Sequence, residues 1–157
     1  MENVSGELAH FLMAAYHGKN WIEVDFKQVL SDITLEEANA KIAPLNTIAS
    51  IVYHLDYYVK IVLKRLNGEP EPSNQKNGFD IETLPSVESW NKLLNEFFDN
   101  AERMSAHVNL MNDDQLLHDF QEKKYGNNIF KIQGIIEHAY YHLGQIVLLK
   151  KFLRSTE

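Results

Sequence analysis

The chain contains no cysteine. Disulfides, thiolate metal ligands and a cysteine nucleophile are therefore excluded, and with them most soft-metal chemistry. Proline and glycine are also sparse, at four and seven of 157 residues, which leaves room for long uninterrupted helices. Basic residues are the minority, 15 Lys and Arg against 22 Asp and Glu for a formal charge of −7, and they form no run. Binding to nucleic acid or to an anionic membrane needs a clustered basic face, so neither partner is expected. Lys123-Lys124 and Lys150-Lys151 are isolated pairs that read as solvated charges. No apolar run approaches the roughly 20 residues of a membrane helix. The first residues, Met1 to Glu7, are acidic and lead into no long apolar core, so no secretory signal is expected and the expected location is the cytoplasm.

What remains is a chain with 45% hydrophobic and 24% charged residues, long enough to bury a core without disulfides or a structural metal. A single domain over residues 1–157 is expected, mostly helical, with no internal repeat. Leu8, Phe11, Leu12 and Ala15 fall at helical spacing and predict a first helix from near Val4 to Tyr16, interrupted at Gly18. A continuation is expected from about Trp21 to Leu30, on a looser stripe of Trp21, Val24, Val29 and Leu30. Ser31 to Thr34 reads as a turn into a short segment around Leu35–Ala40.

Pro44 stops any helix before it, and Asn46 or Thr47 offers a cap for a second long helix. Its stripe is Ile48, Val52, Leu55, Val59, Val62 and Leu66, and Asn67-Gly68 suits its end. Gly68 to Pro85 holds three of the four prolines plus Asn77-Gly78, and reads as a true connection. The helix before it spans about 30 Å, whereas a connection of this size reaches nearly twice as far, so the next helix can start from the same end and run parallel to it. Ser86 caps that third helix, with Val87, Trp90, Leu94, Phe97, Ala101, Met104 and Val108 on one face and Phe98 widening it. Asn112-Asp113-Asp114 ends it before a short turn through Gln115-Leu116-Leu117. Gly126-Asn127-Asn128 caps a fourth long helix, expected to run to about Leu153.

That last helix carries His138 and His142. Four residues apart, they lie about 40° apart on one face, so both imidazoles can reach one atom. A His-x3-His pair by itself is equally consistent with two packed or hydrogen-bonded histidines. A third ligand decides the matter, and His54, beside the apolar stripe of the second helix, faces its partners. One histidine mid-helix with a pair on a facing helix is how bundles build metal sites from rigid rods.

Two stretches carry a resemblance: Asn46-Thr47-Ile48-Ala49-Ser50-Ile51-Val52-Tyr53-His54-Leu55, and Ile136-Glu137-His138-Ala139-Tyr140-Tyr141-His142-Leu143-Gly144-Gln145-Ile146. Together they resemble the DinB/YfiT-like superfamily of metal-binding four-helix bundles. The likeness covers essentially the whole chain, including the Trp21 segment and the long second connection. It implies an all-α four-helix bundle with a long crossover connection between its second and third long helices, often homodimeric, with a divalent metal on His54, His138 and His142. Members with assigned activities are metal-dependent hydrolases, or transferases and isomerases using low-molecular-weight thiols such as bacillithiol or mycothiol. The implied function is a divalent-metal-dependent enzyme of one of these kinds acting on a small molecule. A non-catalytic metal- or ligand-binding bundle is the alternative, and a bundle whose histidines are only core residues is the third reading.

Three neutral imidazoles leave a position for water or substrate, the arrangement of a catalytic zinc site. A divalent ion lowers the pKa of water from 15.7 towards roughly 7, or stabilises a thiolate. Nitrogen ligands suit zinc or nickel best. Gln145 falls close to the direction of His138 and can orient the site; Tyr57, Tyr58 and Tyr141 flank the histidine faces and can donate to a bound anion, with core packing as the plainer role. Gly144 reads as a point of close helix approach. Asp56 and Glu137 read as exposed helix-surface charges, leaving no obvious general base. His10, His17, His107 and His118 have no partner at ligand spacing; His17, beside Gly18 and Trp21, is the one placed where a loop can overhang a pocket.

Overall fold

The computed structural model describes residues 3–69, 77–120 and 123–155. Among them are seven α-helices: α1 (Val4–His17), α2 (Phe26–Leu30), α3 (Leu35–Asn39), α4 (Ile48–Leu66), α5 (Val87–Asn109), α6 (Asp113–Leu117) and α7 (Asn128–Ser155). The four long ones begin or end where side-chain chemistry demands it. Thr47 accepts from the Ser50 amide to open α4, and Ser86 with Ser89 closes a reciprocal box at the start of α5. Gly18, at φ +92, ends α1 in a conformation that a β-carbon would disfavour.

The long helices pack as a ring in which α1 touches α5 and α7, and α4 touches α5 and α7. Ser105 Oγ donates to the Ala9 carbonyl at 3.2 Å and Tyr16 packs on Phe97 at 4.8 Å, so α1 and α5 are antiparallel. α4 and α5 run parallel. Their starts meet at α3, where Asn39 exchanges two 3.0 Å hydrogen bonds with the Leu84 backbone, and their ends share one hollow lined by Arg65, Leu66, His107 and Met111. The expected crossover is therefore present, and it returns the chain along α4 before α5 begins. The core between the rods is apolar, with Leu12, Tyr16, Phe26, Val52, Phe97, Met104, Ile132 and Ile146 all fully buried.

Three expectations need correction. The segment from Trp21 is not a helix until Phe26, and Trp21 is 98% exposed. Asn20 bonds the carbonyls of Ala14 and Val24 at 2.7 and 2.8 Å, and Lys19 and Glu23 take positive φ, so the chain turns outward and Phe26 fills the core instead. Val87, placed on the α5 stripe, is exposed because it lies in the first turn beyond the core, and Leu93 is buried on that face. Asp56 is not a surface charge: it is 1% exposed, accepting from Lys60 Nζ at 2.6 Å and from Asn100 Nδ2 at 2.8 Å. It faces α5, and a buried carboxylate needs such partners. Glu137 is exposed as expected.

Candidate metal centre

α4 and α7 run antiparallel, which brings the middle of one against the middle of the other. His54 enters from α4, and His138 and His142 from successive turns of α7. Their ligand nitrogens lie within 4.8 Å of one another, and no aspartate, glutamate or further histidine among the described residues joins them. His54 Nε2 and His138 Nε2 are 3.0 Å apart. His54 and His142 are buried and His138 half-buried.

Two of the remaining ring nitrogens are held from behind. His54 Nδ1–H donates to the Asn77 carbonyl at 2.5 Å, and His142 Nδ1–H to Gln145 Oε1 at 2.7 Å. Each bond selects the tautomer whose lone pair is on Nε2, and a histidine oriented in this way is what metal ligation requires. Phe79 stacks on the His54 ring at 3.8 Å and 13°, fixing its plane. The donor set thus fits a divalent ion. With His54 holding its proton on Nδ1, the 3.0 Å contact places the His138 Nε2 as the donor to the His54 Nε2 lone pair in the metal-free site, the position where a cation would replace that proton.

Asn77 and Phe79 were not foreseen as site residues, and the Asn77-Gly78 dipeptide signalled only a turn. Gly78 explains their placement. It takes φ +67, and a β-carbon there would stand 2.9 Å from three atoms of the Tyr57 side chain. The connection can lie flat on α4 only because this position is bare. Gly78→Ala is therefore expected to lift residues 77–79 and weaken metal binding by about tenfold through loss of His54 orientation. Gly68→Ala is the control, since φ is +77 there but nothing lies within 4 Å of the added carbon. Metal titration of the two variants checks this, and equal affinities would disprove it.

Burial lowers the pKa of all three histidines, and for His138, where the neighbouring His142 and His54 add to burial, it falls to about 4. The unfolded chain, near 6.5, then binds protons that the folded metal-free protein does not. Stability of the metal-free protein is thus expected to be complete above pH 6.5 and to fall as pH drops from 6.5 towards 4. Denaturation midpoints across that window measure it, and His138→Leu should flatten the slope.

Beside the histidines lies a cavity of about 420 Å³, lined in part by His54, His138, Tyr57, Tyr58, Ile61 and Phe130. No carboxylate is among its described lining residues. The Tyr57 hydroxyl is buried with no hydrogen-bond partner. Tyr58 packs edge-on against His54 and His138, while Tyr141 is 65% exposed. Gly144 has open space rather than a close neighbour where a side chain would stand, so it does not mark a close helix approach. His17 pairs with Glu102 at 3.2 Å and packs on Phe98, and it is absent from the cavity lining.

A family model described as the DinB superfamily matches residues 21–146, the span that holds all three histidines and Gln145. The chain belongs to the DinB superfamily. No curated protein and no solved structure matches it significantly. In this DinB-superfamily chain no helix of the described residues is long and apolar enough to cross a membrane.

Proposed function

We propose that this DinB-superfamily protein is a divalent-metal-dependent enzyme acting on a small molecule, with His54, His138 and His142 holding zinc or nickel. The observation that carries the reading is the convergence of three imidazoles, two of them fixed from behind, with His54 and His138 forming part of a cavity wall. When bound, such an ion supplies Lewis acidity, polarising a carbonyl or phosphoryl oxygen or lowering the pKa of a water or thiol that reaches it. The chain's own residues do the rest. Asn77, Gln145 and Phe79 orient the ligands, and the side chains of Tyr57, Tyr58 and Phe130 line the adjoining cavity where a substrate would sit.

A cation can lower the pKa of a bound water or of a bound thiol without a carboxylate base, so hydrolysis and transfer of a low-molecular-weight thiol are the two reactions to test. The test is turnover by zinc- and nickel-loaded protein of activated esters and amides, and of electrophiles with a supplied thiol. Thiol-dependent turnover that disappears in His138→Ala supports the proposal. Metal-loaded protein inert against both panels points instead to a non-catalytic metal- or ligand-binding bundle.

We also propose that two copies pair through α7. Tyr141, Leu148 and Phe152 are 65, 69 and 55% exposed along one side of that helix, and Leu45, at 56%, extends the apolar surface. Phe152→Glu is expected to convert a dimer to a monomer in light scattering without changing the bound metal per chain. A wild-type monomer would sink the pairing.

A further inference from the structure

We propose that the cavity selects an elongated organic anion, and that Lys131 is the residue that holds its charged end. The inference rests on the reading of this cavity as the substrate site and names the class of substrate. The lining is sorted by position. His54 and His138 stand at one end, Ile61, Val62, Phe120, Phe130 and Ile135 make apolar walls, and Lys131 lies two turns of α7 before His138. Seven residues of helix separate Lys131 from His138, about 10 Å along the axis.

The ammonium of Lys131 is confined without being neutralised. It lies 5.8, 5.4 and 5.5 Å from the ring centroids of Phe120, Tyr125 and Phe130, and no carboxylate of the described residues pairs with it. Rings attract a cation through their faces but leave its full charge available to an anion. Lys131 also sits in the first turn of the 28-residue α7, where the helix dipole is positive and adds to the same potential. In a protein of net charge −7, a cavity whose described lining carries Lys131 and no acid is a local reversal of sign. Arg65 lies on the α4 wall with its guanidinium over Phe120 at 5.7 Å.

Three probes of one shape test this: phenylbutanoate, its neutral amide, and phenylbutyl phosphate. Each is titrated by calorimetry into chelator-treated and zinc-loaded protein at low salt. Chelator-treated protein is expected to bind at least one of the two anions about tenfold or more tighter than the amide, the worth of one charge-assisted hydrogen bond in a partly desolvated site. Lys131→Met should remove that preference while leaving amide affinity unchanged, and Lys131→Arg should restore it. Gly134, which lines the cavity with open space at its β-position, gives a second handle, since Gly134→Phe should weaken all three probes with no loss of helix. Which anion is preferred tells a carboxylate ligand from a phosphate one. Equal affinity for anion and amide, a preference that survives Lys131→Met, or no binding of any probe overturns the proposal. Because the preference is read without metal, its failure is distinct from failure of the metal-dependent reading.

Discussion

His142→Ala is expected to lower affinity for zinc and nickel by more than about a hundredfold, while the helical content of the protein is unchanged. Losing an outer-shell partner of a metal-bound histidine costs roughly 10- to 100-fold, so losing the ligand itself must cost more. His142 is a good choice because its ring is buried, its centroid 4.9 Å from that of His54 and 4.6 Å from that of His138, and no other histidine, aspartate or glutamate of the described residues joins the group. Competition against a coloured chelator gives the affinity. A second readout does not depend on it: an ion that binds only the folded state raises stability by about 2.7 kcal/mol at a hundred times its dissociation constant. Wild-type protein should show that gain on adding metal and His142→Ala should not. Gln145→Leu removes only the acceptor behind His142 and should fall between the two. If wild-type protein shows no metal-dependent gain and His142→Ala behaves identically, the histidines are core residues and the enzymatic proposal fails with them.

The site was half legible because its two halves are encoded differently. His138 and His142 are linked by helical period, a local relation that spacing alone displays. His54 was reachable because it borders an apolar stripe and so had to face another rod. Gln145 follows from the same period, one turn from His142. Asn77 and Phe79 obey no period. They reach His54 from 23 and 25 residues away through a connection whose path is set by Gly78 lying bare against Tyr57, and nothing in a turn signal says which helix the turn will lie on. The helix boundaries were legible for a related reason: Thr47, Ser86 and Asn112 each act on amides within three residues of themselves. Trp21 was misplaced because size and apolarity predict burial only if the backbone stays helical, and the Asn20 amide ties it into a turn.

Asp56 shows the complementary failure, in which period was right and chemistry was wrong, and it yields the largest expected loss of stability. The residue lies two positions after His54, so it points away from α7 and towards α5. There its two oxygens meet Asn100 Nδ2 at 2.8 Å and Lys60 Nζ at 2.6 Å, and Lys60 reaches on to Glu96 at 3.3 Å. Burial alone would lower the Lys60 pKa, yet it is raised, because the bonds and charges of Asp56 and Glu96 outweigh that burial. Asp56→Ala removes the hub and leaves Asn100 with only the Glu96 carbonyl. Breaking a fully buried ion pair costs about 3–5 kcal/mol; Lys60 is 40% exposed and can turn to water, so about 2–3 kcal/mol is expected, a fall of roughly 6–10 °C in Tm. Asp56→Asn keeps an acceptor for Asn100 and should lose less. In a cycle with Asn100→Ala the two changes should couple by about 1 kcal/mol, which independent sites would not show. Metal affinity should stay at the wild-type value, since His54 is held from the α7 side and by residues 77–79 rather than by this network. A loss of metal binding in Asp56→Ala at a temperature where the variant is fully folded would mean that the α4–α5 contact, and not the loop, sets the position of His54.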